Sequence, residues 1–154
     1  YIDMDSFIDW WLAHELSYNT DCSWPKSAYM HKERGEKMKA GPVWDFDWGT
    51  FRPVAPAMDV AATLYYDRLF QNPVFVARVK QRWADHKVRL TGVPDYIRAK
   101  AAYIKESADV NISLWPIDVE DNGDEHLDFD GAINRMVKAY EQRYEQIDHA
   151  ISNM

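Results

Sequence analysis

The chain has 154 residues, of which 47% are hydrophobic and 14% aromatic. That is enough for one domain burying about two-thirds of its unfolded surface, and it excludes general disorder. Its 25 acidic and 18 basic residues give a net charge of -7 and a pI near 5.1, which argues against non-specific attraction to nucleic acid or an anionic membrane. Cys22 is the single cysteine, so an internal disulfide is excluded. No apolar run approaches the roughly 20 residues of a membrane span. The chain opens at Tyr1 inside a helix-starting phrase, so it is expected to be a piece of a longer protein.

In chain order, a first helix is expected from Asp5 or Ser6, with Ser6 as N-cap and Asp9 three residues on. Phe7, Trp10, Trp11, His14 and Tyr18 recur at helical spacing, which makes this helix central and His14 a hydrogen-bonded core histidine. Asn, Asp, Ser and Pro then accumulate from Tyr18 to Ser27, the composition of a loop, with Asp21 in its middle. Residues Ala28 to Glu33 and Lys37 to Trp44 read as a β-hairpin turning near Gly35. Pro53 and Pro56 disfavour regular structure, and a helix is expected to resume near Met58 or Asp59 and run to Phe70.

Asn72-Pro73 marks the next helix start, with Phe75, Val76, Val79, Trp83 and Leu90 on one face. Gly92 ends it, and Val93-Pro94-Asp95 opens another core helix with Ile97, Ala101, Ile104 and Ala108 in register. The 118 to 130 segment is dense in acids. Asp118, Glu120, Asn122, Gly123 and Asp124 fall at positions one, three, five, six and seven of a calcium loop, but Phe129 stands where its bidentate Glu belongs, which favours a solvated acidic loop over calcium binding. A last helix from about Asp128 to Ile151 carries Ile133, Met136, Val137, Tyr140, Tyr144, Ile147 and Ile151 as a stripe, with Lys138, Glu141, Arg143 and Glu145 outside it. The expected fold class is α+β, mainly α: about five helices with one short antiparallel hairpin, in a single domain over residues 1 to 154.

The run from Gly41 to Phe51 places Asp45 and Asp47 among Trp44, Phe46 and Trp48. In an extended segment the two acids share one face and the aromatics the other. Paired carboxylates backed by aromatics suit a hard cation such as Mg²⁺. Alternatively they cap backbone donors or pair with Lys or Arg. The hairpin is expected to bring Asp21 toward them. Neither glycine-rich nucleotide signature occurs in the chain.

Together, Asn19-Thr-Asp21, Tyr29-Met30 and Trp44-Asp45-Phe-Asp47, with the opening Ile2-Asp-Met-Asp-Ser-Phe-Ile-Asp-Trp-Trp-Leu, resemble the CotH kinase family of spore-coat-protein-H type atypical kinases. The resemblance implies the C-terminal, mostly helical lobe of a protein-kinase-like fold. It also implies ATP- and Mg²⁺-dependent phosphorylation of protein Ser, a protein substrate or surface partner, and a place in the cell envelope or outside the cell. Asp21 matches the acid that orients or deprotonates the acceptor hydroxyl, and Asp45, with Asp47, the cofactor- and metal-holding position. The family's further metal-ligating Asn is replaced by Lys26 or Ser27, which makes Ser27 the remaining candidate ligand. A phosphate-covering loop and a nucleotide-positioning Lys have no counterpart here, so the piece alone is expected to be inactive. The competing reading is a non-catalytic cell-surface module that binds protein or glycan.

Overall fold

The computed structural model describes residues 1–23, 27–52, 58–116 and 127–154. Among them are five α-helices, α1 (Met4–Ser17), α2 (Tyr66–Leu69), α3 (Pro73–Leu90), α4 (Val93–Leu114) and α5 (Phe129–Ser152). One two-stranded antiparallel sheet joins β1 (Met30–His31) to β2 (Lys39–Ala40). The mainly helical class with a small antiparallel hairpin is therefore as expected.

α1 is the axis of the core. Its N-cap is Asp3 rather than Ser6: the Asp3 carboxylate accepts the Ser6 N–H at 3.1 Å, while Ser6 Oγ donates back to the Asp3 carbonyl at 2.9 Å. Ser6 thus acts from inside the first turn, and the helix starts earlier than its sequence suggests. Phe7, Ile8, Trp10, Trp11, Leu12 and Leu16 are all buried, because α3, α5, β2 and the segment after residue 58 surround the helix. The hairpin is shorter than expected, with Met30 opposite Ala40 and His31 opposite Lys39. Its second arm also bonds the chain start: Met38 N–H donates to the Tyr1 carbonyl, and Asp3 N–H to the Met38 carbonyl.

The starts of α3 and α5 follow their local signals. Asn72 Oδ1 accepts the Val74 N–H at 2.9 Å, and Asp128 Oδ1 accepts the Gly131 N–H at 2.7 Å. α3 packs on both α1 and α5, burying Phe75, Val79 and Trp83, and its Arg78 and Arg82 fork onto Asp5 and Asp9 of α1. α5 closes the core with Val137, Tyr140, Ile147 and Ile151.

Two helix expectations fail. The 58 to 70 helix is broken into a 3-10 turn at Val60–Ala62 and the single turn of α2, with Leu64 between them at φ 53, a left-handed conformation that no α-helix contains. α4 is not a core helix: only Pro94 and Ala101 are buried, since α5 is its main neighbour, and Ile104 is 46% exposed. Lys26 and most of the acidic 118 to 130 loop lie outside the described residues, so the calcium-loop expectation is untouched.

Candidate functional site

At its C-terminus α1 stops on Tyr18 in a left-handed conformation, φ 53, with the N–H groups of Tyr18 and Asn19 returning to the Glu15 and His14 carbonyls. This turn delivers Asn19 into the interior, where it is fully buried. Its Nδ2 donates to the Asp45 carbonyl at 2.7 Å, and its Oδ1 accepts the Asp21 N–H at 3.2 Å. One amide therefore fixes the backbones of two acidic segments against each other. Cys22 beside it is buried, and burial, reinforced by Glu15 and Asp21, pushes its thiol up to about 12. It stays protonated at neutral pH and is no nucleophile.

Asp45 sits at φ 65. A left-handed residue ends the alternation of an extended strand, so the expected arrangement of acids on one face and aromatics on the other does not form. Phe46 turns inward and stacks on His14 at 4.8 Å, while Trp44 and Trp48 are 55% and 66% exposed. The Asp45 carboxylate accepts the Ser27 hydroxyl at 2.7 Å, and an Asp21 carboxylate oxygen lies 3.5 Å from the same hydroxyl. Asp21, Ser27 and Asp45 are thus brought together. Asp47 is exposed, and among the described residues no hydrogen bond or ion pair joins it to the other three.

Ser27 has one proton for two carboxylates, and among the described residues no Lys or Arg forms an ion pair with either acid. The oxygens of Asp21, Ser27 and Asp45 are hard donors of the kind Mg²⁺ takes, with its remaining positions left to water and phosphate. No group of three or more His, Cys, Asp or Glu forms a richer metal cage among the described residues. The donor set fits Mg²⁺ held between protein and nucleotide better than a cation caged by protein alone.

Behind the acids lies a layer that the sequence pattern did not reveal. His14 is fully buried, as a core histidine should be, but neither ring nitrogen has a hydrogen-bond partner. It stacks instead between Trp10, at 3.9 Å, and Phe46. Burial pulls its pKa down to about 4, so the ring is neutral at pH 7. The column Trp10, His14, Phe46 thereby seats the acidic segment on α1.

Glu15, also fully buried, receives the Ala61 N–H at 3.0 Å and Arg143 Nη2 at 2.6 Å, and Arg143 Nε donates to the Glu15 carbonyl. Burial raises the Glu15 carboxyl to about 7, against the opposing pull of the Ala61 amide and the Arg143 guanidinium. Arg143, expected outside the α5 stripe, is 2% exposed. It also lies 5.1 Å from the Tyr18 ring, whose hydroxyl donates to Asp59. The signal was in the spacing: Arg143 is three residues after Tyr140 and four before Ile147, on the buried face.

No curated protein and no solved structure matched the chain. The family model described as CotH kinase protein matches residues 1–148, which takes in α1, the acidic cluster and α5 to within a few residues of its end. The chain belongs to the CotH kinase protein family.

Proposed function

We propose that this chain is the C-terminal, acceptor- and metal-handling part of a kinase that transfers a phosphoryl group from ATP to Ser hydroxyls of a protein. The observation that carries the reading is the convergence of Asp21 and Asp45 on the Ser27 hydroxyl without a cationic partner among the described residues. Phosphoryl transfer asks a protein mainly for positioning and charge neutralisation. Mg²⁺, when bound, supplies neutralisation at the phosphates. Asp45 and Ser27 would hold it, with the exposed Asp47 the outer candidate ligand.

Asp21 takes the other role, orienting the acceptor hydroxyl and receiving its proton. Asn19 keeps the two carboxylates at fixed separation, because both segments hydrogen-bond to the same side chain. The sequence contains no phosphate-covering glycine-rich loop, so the activity belongs to the parent protein and the chain alone is inactive.

The test is phosphate transfer by the parent protein carrying Asp21→Asn or Asp45→Asn. Each should lower the rate by at least about 10²-fold, on the scale of losing one electrostatic group at a reacting centre, with an unchanged melting temperature. Full activity in both variants would sink the proposal. A second reading draws on the exposure of Tyr29, Trp44 and Trp48 next to the acids: a non-catalytic module that binds protein or glycan. Such a module is indifferent to both substitutions, to nucleotide and to metal.

A further inference from the structure

Outside the acidic cluster, the most unusual surface is on α4. Its contact with α5 uses the face carrying Arg98, Ala101, Ala102 and Lys105, which line a cleft of about 390 Å³ against Phe129 and Ile133. At 3.6 residues per turn, positions 96, 100, 103, 107, 110 and 114 lie roughly 180° around the helix from that face. They should be polar. Instead Tyr96, Tyr103, Val110 and Leu114 stand there with exposures of 62%, 84%, 56% and 62%. Lys100 lies between the two tyrosines, its ammonium 5.4 and 5.9 Å from their rings, and Ser107 completes the row.

The spacing of this row is four, three, four, three, four, the repeat of a coiled-coil seam. It runs about 27 Å along the helix. An apolar stripe on the outer side of a helix already anchored on its inner side is the signature of a second helical neighbour.

We infer that α4 pairs with α4 of a second copy of this chain, antiparallel, across a two-fold axis at residue 105. The seam is complementary to itself in that register. Turning the helix end for end pairs positions that sum to 210, which sets Tyr96 against Leu114, Lys100 against Val110 and Tyr103 against Ser107, each pair occurring twice. Every layer joins one position of the seam's a type to one of its d type, as antiparallel packing requires. The largest ring, Tyr103, meets the smallest side chain, Ser107.

Charge agrees with shape. Lys100 is the only cation in the seam, and Glu106 flanks the seam one residue from the level of the axis, so in the antiparallel register Lys100 of each copy comes near Glu106 of the other. A parallel pair would instead stack Lys100 on Lys100 and Tyr103 on Tyr103, and like charges in one layer oppose association. The buried strip is short, which places the dimer at the weak end of specific interfaces. Nothing in the inference involves Asp21, Ser27 or Asp45, and it stands independently of the proposed chemistry.

Sedimentation velocity of the chain from about 10 µM to about 1 mM, a span of roughly 3 kcal/mol in dissociation free energy, should show a monomer converting to dimer. Tyr103→Glu and Leu114→Glu, each at a solvent-facing position, should keep the helical circular dichroism and lower dimer affinity at least tenfold. Register is read by oxidising variants with one added cysteine, the native Cys22 being buried. A mixture of Tyr103→Cys and Ser107→Cys should give the mixed disulfide in preference to either homodimer. A monomer over the whole range, a dimer indifferent to both Glu substitutions, or homodimeric disulfides formed equally well would each overturn the inference.

Discussion

Around the end of α1, Glu15, Asn19 and His14 are drawn completely into the protein. Along α4, Tyr96, Tyr103 and Leu114 stand in solvent. Polar groups inside and apolar groups outside are both expensive, and the two regions bear the cost for different reasons. Near α1 the buried groups fix backbone at the proposed site: Asn19 ties Asp21 to Asp45, His14 carries Phe46, and the Glu15–Arg143 pair binds α1 to α5 beside the turn that leads into Asn19. On α4 the exposed groups form a strip with coiled-coil spacing and no chemistry. Buried polarity marks the site, and exposed apolarity marks a surface that a partner covers.

The comparison is broken most strongly at Glu15. Replacing either Glu15 or Arg143 with Ala breaks the buried ion pair between them, and chemical denaturation should show a loss of about 3–5 kcal/mol. The double change Glu15→Leu with Arg143→Met should recover most of that stability, because removing both charges removes both desolvation penalties. If the pair is instead what holds the Tyr18 turn, the double variant will be stable yet impaired in phosphate transfer.

His14 comes next. Its pKa is lowered from 6.5 to about 4 in the folded protein, so the unfolded chain binds a proton that the folded one refuses. The contribution of the neutral ring is complete above about pH 6.5 and is lost as pH falls toward about 4, a change of about 3 kcal/mol. The raised pKa of Glu15 acts in the opposite sense over its own window. The quantity to measure is therefore the difference between wild type and His14→Phe, in which Glu15 is common to both. That difference should move against wild type as the solution is acidified, and a difference independent of pH would remove His14 from the account.

Smaller effects separate the site's parts. Asn19→Ala leaves the Asp45 carbonyl and the Asp21 N–H without their partner and should cost about 1–3 kcal/mol in a denaturant titration. Ser27→Ala removes the hydroxyl shared by the two carboxylates. Its cost should be about 1 kcal/mol, and millimolar Mg²⁺ should stabilise the variant less than wild type, because one oxygen that would hold the cation is gone. An equal response to Mg²⁺ in both would separate Ser27 from the cation.

Much of this was legible because it is local. Asn72-Pro73 and Val93-Pro94 announce helix starts through the chemistry of one or two residues, and the acids stand out against their aromatic neighbours. What was hidden depends on distant partners. Glu15 and Arg143 are 128 residues apart, and no spacing on α5 says that a guanidinium in an apolar stripe will find a carboxylate on α1. On α4 the sequence showed one stripe, read as a core face, and only the packing shows that α5 is its main neighbour and that Tyr96, Tyr103, Val110 and Leu114 stay exposed. The extended reading of 41 to 51 failed in the backbone: β2 already ends at Ala40, Gly41 turns at φ 124, and the decisive non-glycine angle is φ 65 at Asp45. Aspartate tolerates that conformation better than most residues, but sequence alone does not demand it.

The central claim is that Asp45 and Ser27 form a place for a nucleotide-bound cation beside Asp21. It is tested most directly by the thermal stability of the protein with and without Mg²⁺-ATP, wild type beside Asp45→Asn. A ligand that binds the folded state raises its melting temperature by mass action. The account predicts a rise in wild type and its loss in Asp45→Asn, with equal melting temperatures in the absence of ligand. An equal rise in both proteins, or no rise in either while both are folded, would contradict it.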